Sequence, residues 1–313
     1  MEDRGHGLRS ARLPEVRGLS LPLLALAGCC CGMQLTLPGA VETLLIRDLQ
    51  LDHGLAGLSQ AVFFAGNLLG SLMAGEFISR AHPRLVGPVS LGLMAVGALI
   101  AAWPMFPTLV LGRFIAGMGL SATVVFISAL VVGSHAERQG PLLNAFHACV
   151  ALGAALALAT ARPLADAISS CPLAMAVPGA LAAQLALYLS LWPLLPAEGD
   201  SAVPPGLTSW IPLLRGGLFR AVLLVMAGYM VAEQGASLFA AALIEGGGQA
   251  SAGLAGITAA LLWVGVGVGR LTAALFLTRV PERSMLLACL GLGVAALIAP
   301  TNPGGQQGHL TAI

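Results

Sequence analysis

The sequence predicts an all-α polytopic membrane protein, and three observations predict it. Of its 313 residues 57% are hydrophobic and only 9% charged, whereas a soluble domain covers its surface with roughly 25% charged residues. Apolar runs of about 20 residues, the length that crosses a bilayer as a helix, recur nine times. The arginines fall mostly on one side of the path that these runs describe. Forty glycines and nineteen prolines accompany the apolar excess, and both residues are commoner in membrane helices than in soluble ones. A net charge of +1, with no lysine at all, leaves no basic field for nucleic acid.

The first run opens with Leu21 to Gln34, LPLLALAGCCCGMQ. Its Leu26-Ala27-Gly28-Cys29 has the form of a bacterial lipoprotein cleavage box. A lipoprotein would continue into a polar tether, but here the chain stays apolar, so Leu19 to about Val41 is read as a first span. Further spans are expected near 55–78, 85–103, 105–132, 141–163, 173–196, 218–244, 251–278 and 284–300. With the N-terminus inside, the inner segments hold Arg4, Arg9, Arg12, Arg17, Arg80, Arg84, Arg138, Arg215, Arg220, Arg279 and Arg283, against Arg47 and Arg162 outside. That asymmetry makes the nine-span path self-consistent and places the protein in a cell membrane with its N-terminus cytoplasmic.

The path divides into a cytoplasmic segment 1–18, a six-helix half 19–196, a central cytoplasmic loop 197–217, three further spans over 218–301, and a polar tail 302–313. An internal repeat supports the division. GSLMAGEFISRAHPR (70–84) and GRLTAALFLTRVPER (269–283) align 199 positions apart, matching Gly70 with Gly269, Phe77 with Phe276, Arg80 with Arg279 and Arg84 with Arg283. Both copies end a span and enter an inner turn. Parallel six-span repeats are a transporter architecture. By that reckoning nine of twelve expected spans are present, and the chain reads as C-terminally truncated.

Segment 70–84 resembles the hallmark loop between spans two and three of the major facilitator superfamily, Gly-x-x-x-Asp-Arg-x-Gly-Arg-Arg. Gly75, Arg80 and Arg84 match it, while Ser79 stands at the aspartate and His82 at the second glycine. In the family that aspartate pairs with neighbouring charges to hold the inner face closed, so the resemblance implies a weakened latch. LGRFIAGMG (111–119) is similar to the fourth-span signature, with Arg113 in the membrane. LLNAFHACVALGAALA (142–157) resembles the fifth span of the branch near the fucose permeases, through Asn144, His147 and Gly153. YMVAEQGASLFAAALIE (229–245) resembles that branch's seventh span through Glu233, with Leu238 and Ala242 where its aromatics stand. The resemblance implies a helical bundle of this family, working as a secondary transporter.

The polar residues within spans are the candidate site. A charge at mid-bilayer costs at least about 2.5–3.5 kcal/mol, so such residues face a cavity or a partner. Arg113, in line with Gly117 and Ser121, either binds an anionic group on the path or ties two helices together. Asn144 and His147 share a face of span five, and histidine exchanges protons near neutral pH. Tyr229, Glu233 and Ser237 share a face of span seven, and desolvation lets a carboxylate hold a proton at physiological pH. Gln34 and Asn67 are candidates for the same cavity. Glu76 and Arg270 read as interhelical pairing groups, and Gly265, Gly267 and Gly269 as close packing.

The six cysteines show no metal-ligand spacing, and no motif joins a nucleophile to a base. The expectation is no enzyme, no cofactor and no metal. Its partners are the lipid bilayer and a small solute (a sugar or an organic anion), with protons for symport. Two functions follow from different classes: alternating-access transport of that solute, or a degenerate homologue that serves as a membrane assembly or regulatory partner.

Overall fold

The computed structural model describes residues 21–80, 83–134, 138–168, 170, 176–183, 185–186, 212–246, 252–276 and 279–298. The segment 1–18, loop residues 197–211 and the tail 302–313 lie outside the described residues. So do His82, Cys171 and the side chains of Ser79, Arg80, Arg84, Leu238 and Ala242.

The described residues are helical throughout, joined by turns. In chain order the helices are α1 (Leu21–Ala40), α2 (Glu42–Leu49), α3 (His53–Arg80), α4 (Pro83–Ala101), α5 (Phe106–Ser134) and α6 (Gln139–Ala167). There follow α7 (helical at 176–183 and 185–186), α8 (Gly217–Gly246), α9 (Ala252–Phe276) and α10 (Glu282–Ile298). Six of them are long and apolar enough to cross a membrane, in α1, α3, α5, α6, α8 and α9. The shorter apolar stretches Leu85–Ala101 and Arg283–Ala295 fall where the sequence places the third and ninth spans.

The first span ends within a residue of its expected limit, and the short helix that follows it is new. Helix α1 stops at Ala40, because Pro38 lies inside its last turn and offers no backbone donor. The chain restarts as the short α2, which buries Leu44 and Leu45 and leaves Arg47 and Asp48 as a local ion pair at 2.9 Å. Gln50 closes α2 with φ 51 and donates its N–H back to the Arg47 and Ile46 carbonyls. Asp52 then caps α3, its carboxylate accepting the Leu55 N–H at 2.7 Å.

Glycine sets the packing among α1 to α6. Helix α1 packs on α6, α3 and α4 on α5, and α6 on α9. At the α1–α6 crossing, a Cβ on Gly32 would fall onto the Val150 carbonyl and one on Gly153 onto the Cys29 carbonyl. Only hydrogen lets these backbones approach, as small residues do in membrane helix pairs. The buried Thr36 hydroxyl completes this crossing, 3.1 Å from the Ala154 carbonyl oxygen. Between α4 and α5 the buried Thr123 and Ser90 hydroxyls lie 3.0 Å apart. Ala151, Ala154, Ala155 and Leu158 of α6 meet Ala259, Ala260 and Trp263 of α9 in one buried cluster.

Candidate functional site

Six helices enclose a cavity of about 490 Å³. Helix α1 supplies Cys31 and Leu35; α3 supplies Phe64, Asn67, Leu68 and Ser71; α5 and α6 add Leu120, Ser121, Val124, His147 and Val150. Opposite stand Met230, Glu233 and Gln234 of α8 with Trp263, Val266 and Arg270 of α9. Its size is that of small-molecule sites.

The positions are ordered by the internal repeat. Five of the six cavity residues of α8 and α9 stand 199 positions after a cavity residue of α1 or α3: Cys31 with Met230, Leu35 with Gln234, Phe64 with Trp263, Asn67 with Val266, Ser71 with Arg270. The exception is Glu233, whose counterpart Gln34 is 3% exposed with its Oε1 unpartnered. Helix starts follow the same offset, His53 with Ala252 and Pro83 with Glu282. The repeat, seen in the sequence over 70–84, thus reaches back through both cavity helices.

Polar groups in the cavity are partly committed. Tyr229 donates its hydroxyl to the Glu233 carboxylate one turn away, and the field of Arg270 acts on the same phenol. Among the described residues no carboxylate lies within ion-pair distance of Arg270. His147 stands edge-on to Phe146, ring centres 5.3 Å apart, in the field of Arg270. Asn67 donates to the Phe63 carbonyl at 3.4 Å, while its own carbonyl accepts the Ser121 hydroxyl. Trp263 is held by a 2.7 Å bond from its Nε1 to the buried Ser237 Oγ. Gln234, 7% exposed, leaves its Oε1 unpartnered.

Of the residues singled out in the sequence, Asn67, His147 and Glu233 line this cavity, and Tyr229 touches it through Glu233. Asn144 turns its amide to the Gly140 carbonyl of its own helix, 2.9 Å away. Arg113 lies elsewhere, 3% exposed, where Pro38, Gly39, Glu42, Ser59 and Gln60 enclose a pocket of about 30 Å³. It donates to Gln60 Oε1 and stacks 5.3 Å from the Phe63 ring centre. Burial pushes the Glu42 carboxyl up, against the opposing pull of His53 and Arg113. Of the hallmark-loop residues, Gly75 is exposed with open space around its Cα, and Arg279 and Arg283 are exposed at the α9–α10 turn.

Arg270, Gln234 and the aromatic pair Phe64 and Trp263 escaped the sequence reading as cavity residues. Extending the 199-residue offset backwards from Gly70 and Gly269 would have placed Arg270 opposite Ser71 and Trp263 opposite Phe64. Among the described residues no three His, Cys, Asp or Glu side chains converge as a metal site.

Comparison with known proteins agrees with this architecture. No curated protein sequence matches the chain. Among solved structures it is similar to a D-xylose-proton symporter, with a TM-score of 0.57 at 15% identity, covering 88% of this chain and 74% of that one. At that identity the likeness is one of fold. The profile of the Major Facilitator Superfamily matches residues 24–309, nearly the whole chain. Family and neighbour are transporters rather than enzymes. A repeat that orders a polar cavity, spans in the expected places and a family match over almost its full length make this chain a multi-pass membrane protein of the major facilitator superfamily.

Proposed function

We propose that the chain is a secondary transporter that moves a small polar solute through the α1–α3–α5–α6–α8–α9 cavity by alternating access, with Glu233 carrying a coupling proton. The observation that carries this reading is the paired lining: equivalent faces of repeated helices enclose one cavity into which polar side chains are set. Two such faces can rock about a shared site, as parallel-repeat transporters do. Glu233 is the cavity's one carboxylate among the described residues, and its hydroxyl donor Tyr229 lets it lose or regain a proton without losing a partner. On this reading the division at 197–217 separates two moving parts, and the cell membrane holds the protein with its arginine-rich side inward.

Uptake by proteoliposomes holding the full chain tests it, with labelled D-xylose and L-lactate as probes and an inward proton gradient. Wild type accumulates at least one probe above equilibrium, whereas Glu233→Gln loses accumulation and keeps exchange of labelled for unlabelled solute. Uptake no greater than in empty vesicles overturns transport, and driven uptake unchanged in Glu233→Gln removes that residue from coupling. A second reading, a homologue that acts as an assembly partner, draws on the exposed apolar faces of α8 and α10, among them Leu218, Leu224, Leu286 and Leu292. Absence of uptake together with capture of a defined membrane partner would favour it.

A further inference from the structure

The cavity is symmetric in position and asymmetric in charge. Where α3 carries Ser71, α9 carries Arg270, and where α1 carries Gln34, α8 carries Glu233. The carboxyl and guanidinium groups therefore both belong to the second copy of the repeat, while the first half faces the cavity with Asn67 and Ser71, joined by Ser121 of α5 and His147 of α6. The two charges do not cancel through direct contact. The Tyr229 hydroxyl donates to the Glu233 carboxylate, and the same phenol lies within the field of Arg270. The carboxylate is thereby provided with a donor of its own, while the Arg270 guanidinium lines the cavity with no carboxylate at ion-pair distance among the described residues. A guanidinium retained in a span is costly without an anionic partner, and its planar fork matches a carboxylate through two parallel hydrogen bonds.

We infer that the solute is a small hydroxy-carboxylate, bound with its carboxylate on Arg270 and its hydroxyls toward Asn67, Ser71 and Ser121. The assignment rests on the cavity being the solute site, as proposed above, and narrows that solute from polar to anionic. The asymmetry sets the orientation. The second copy of the repeat offers a permanent cation, and the first offers neutral hydroxyl and amide groups that pair with alcohols. Trp263, fixed by its bond to Ser237, and Phe64 supply the apolar walls across which such a molecule lies. A neutral sugar would satisfy the alcohol side and leave the guanidinium without a counter-charge. Glycerate and gluconate fill the same space as glycerol and glucose and satisfy both ends.

Ligand-induced thermal stabilisation of the purified full chain in detergent is the test, because it reads binding without requiring transport. The probes are gluconate and glycerate against glucose and glycerol, at constant ionic strength set with chloride. The expected result is stabilisation by both carboxylates and none by their neutral counterparts. The apparent Kd for gluconate then rises at least tenfold in Arg270→Gln and less in Arg270→Lys, which keeps the charge and loses the fork. Ser71→Ala weakens gluconate by a few fold and leaves a propionate control unaffected. Equal stabilisation by gluconate and glucose, or a gluconate affinity untouched by Arg270→Gln, overturns the assignment while transport of a neutral solute survives. Carboxylate binding without uptake keeps the assignment and removes transport. Stabilisation by none of the four probes overturns the assignment as well. A monodisperse Arg270→Lys variant serves as the reading if Arg270→Gln fails to fold.

Discussion

Gly66 and Gly70 on α3 and Gly265 and Gly269 on α9 stand 199 positions apart, on helices that begin at matched residues, yet they meet different surroundings. A Cβ on Gly66 would strike the Phe114 carbonyl and one on Gly70 the Met118 backbone, whereas Gly265 and Gly269 have nothing within 4 Å. The same contrast holds for whole spans. In α1 56% of the membrane window is buried against the rest of the protein, and in α8 only 6%. Repeated sequence thus carries two separable kinds of information. The face toward the shared cavity is kept in both copies, while among the described residues the sideways face of α3 is closed against α5 and that of α9 at Gly265 and Gly269 is open.

A second contrast concerns where the helices end. Pro38 and Gly39 break α1, and the chain turns into α2. The position matching Pro38 is Ser237, which has a backbone donor, so α8 runs on to Gly246. Ser237 also accepts the Trp263 N–H. One proline-for-serine difference therefore gives the first copy its short amphipathic helix and the second copy a tether between its two cavity helices.

Substitutions at matched positions would break or sharpen this comparison. The largest effect is expected from Gly70→Val. Forcing a side chain into a closed backbone crossing costs typically about 1–3 kcal/mol, and here the obstacle is main chain of α5 with nowhere to yield. Little monodisperse protein should survive extraction, while Gly269→Val should match wild type in yield and melting temperature. Equal damage at both positions would mean that the second copy is packed as tightly as the first. Thr36→Val should cost less, about 0.6–1.5 kcal/mol, because it removes one hydrogen bond across α1 and α6 at nearly constant volume. Its matched position is Gly235, with open space around it, so Gly235→Ala should leave the melting temperature unchanged or slightly raise it.

The smallest effect is expected at Glu42. Its carboxyl is raised above the ordinary range, chiefly by burial, so ionisation is a burden in the folded state and not in the unfolded one. That burden is absent while both states are protonated and grows as pH rises through the raised value. Glu42→Gln should therefore melt with wild type in acid and slightly above it at neutral pH. Melting below wild type at neutral pH would show that the attraction of Arg113 outweighs burial.

Spans were legible in the sequence because length and apolarity alone decide what crosses a bilayer, and nothing competes with that signal over 53–80 or 139–167. Glu233, Asn67 and His147 were legible because a polar group within a span needs a reason to be there. Rotation of each helix was not. In α9 the exposed Leu261 and Val268 differ little in polarity from the cavity-facing Val266, so no apolar stripe marks a direction. Arg270 was therefore read as a pairing group and Trp263 passed over. Arg113 shows the converse. Its charge marked it, but only packing reveals that it meets Gln60 and Phe63 beside α2, a helix that the apolar run of the first span conceals.

Labelling of single cysteines by a charged, membrane-impermeant thiol reagent tests most directly whether the repeat orients one water-filled cavity. The background is the full chain with its six native cysteines replaced by alanine. Cysteines go in turn at Asn67, Ser71, Val266 and Arg270, which line the cavity, and at Leu69 and Val268, which are matched to each other and face outward. The account predicts labelling at the four cavity positions and protection by lipid at the other two. Equal labelling of both sets, or labelling in only one copy of the repeat, would contradict a cavity shared by matched faces.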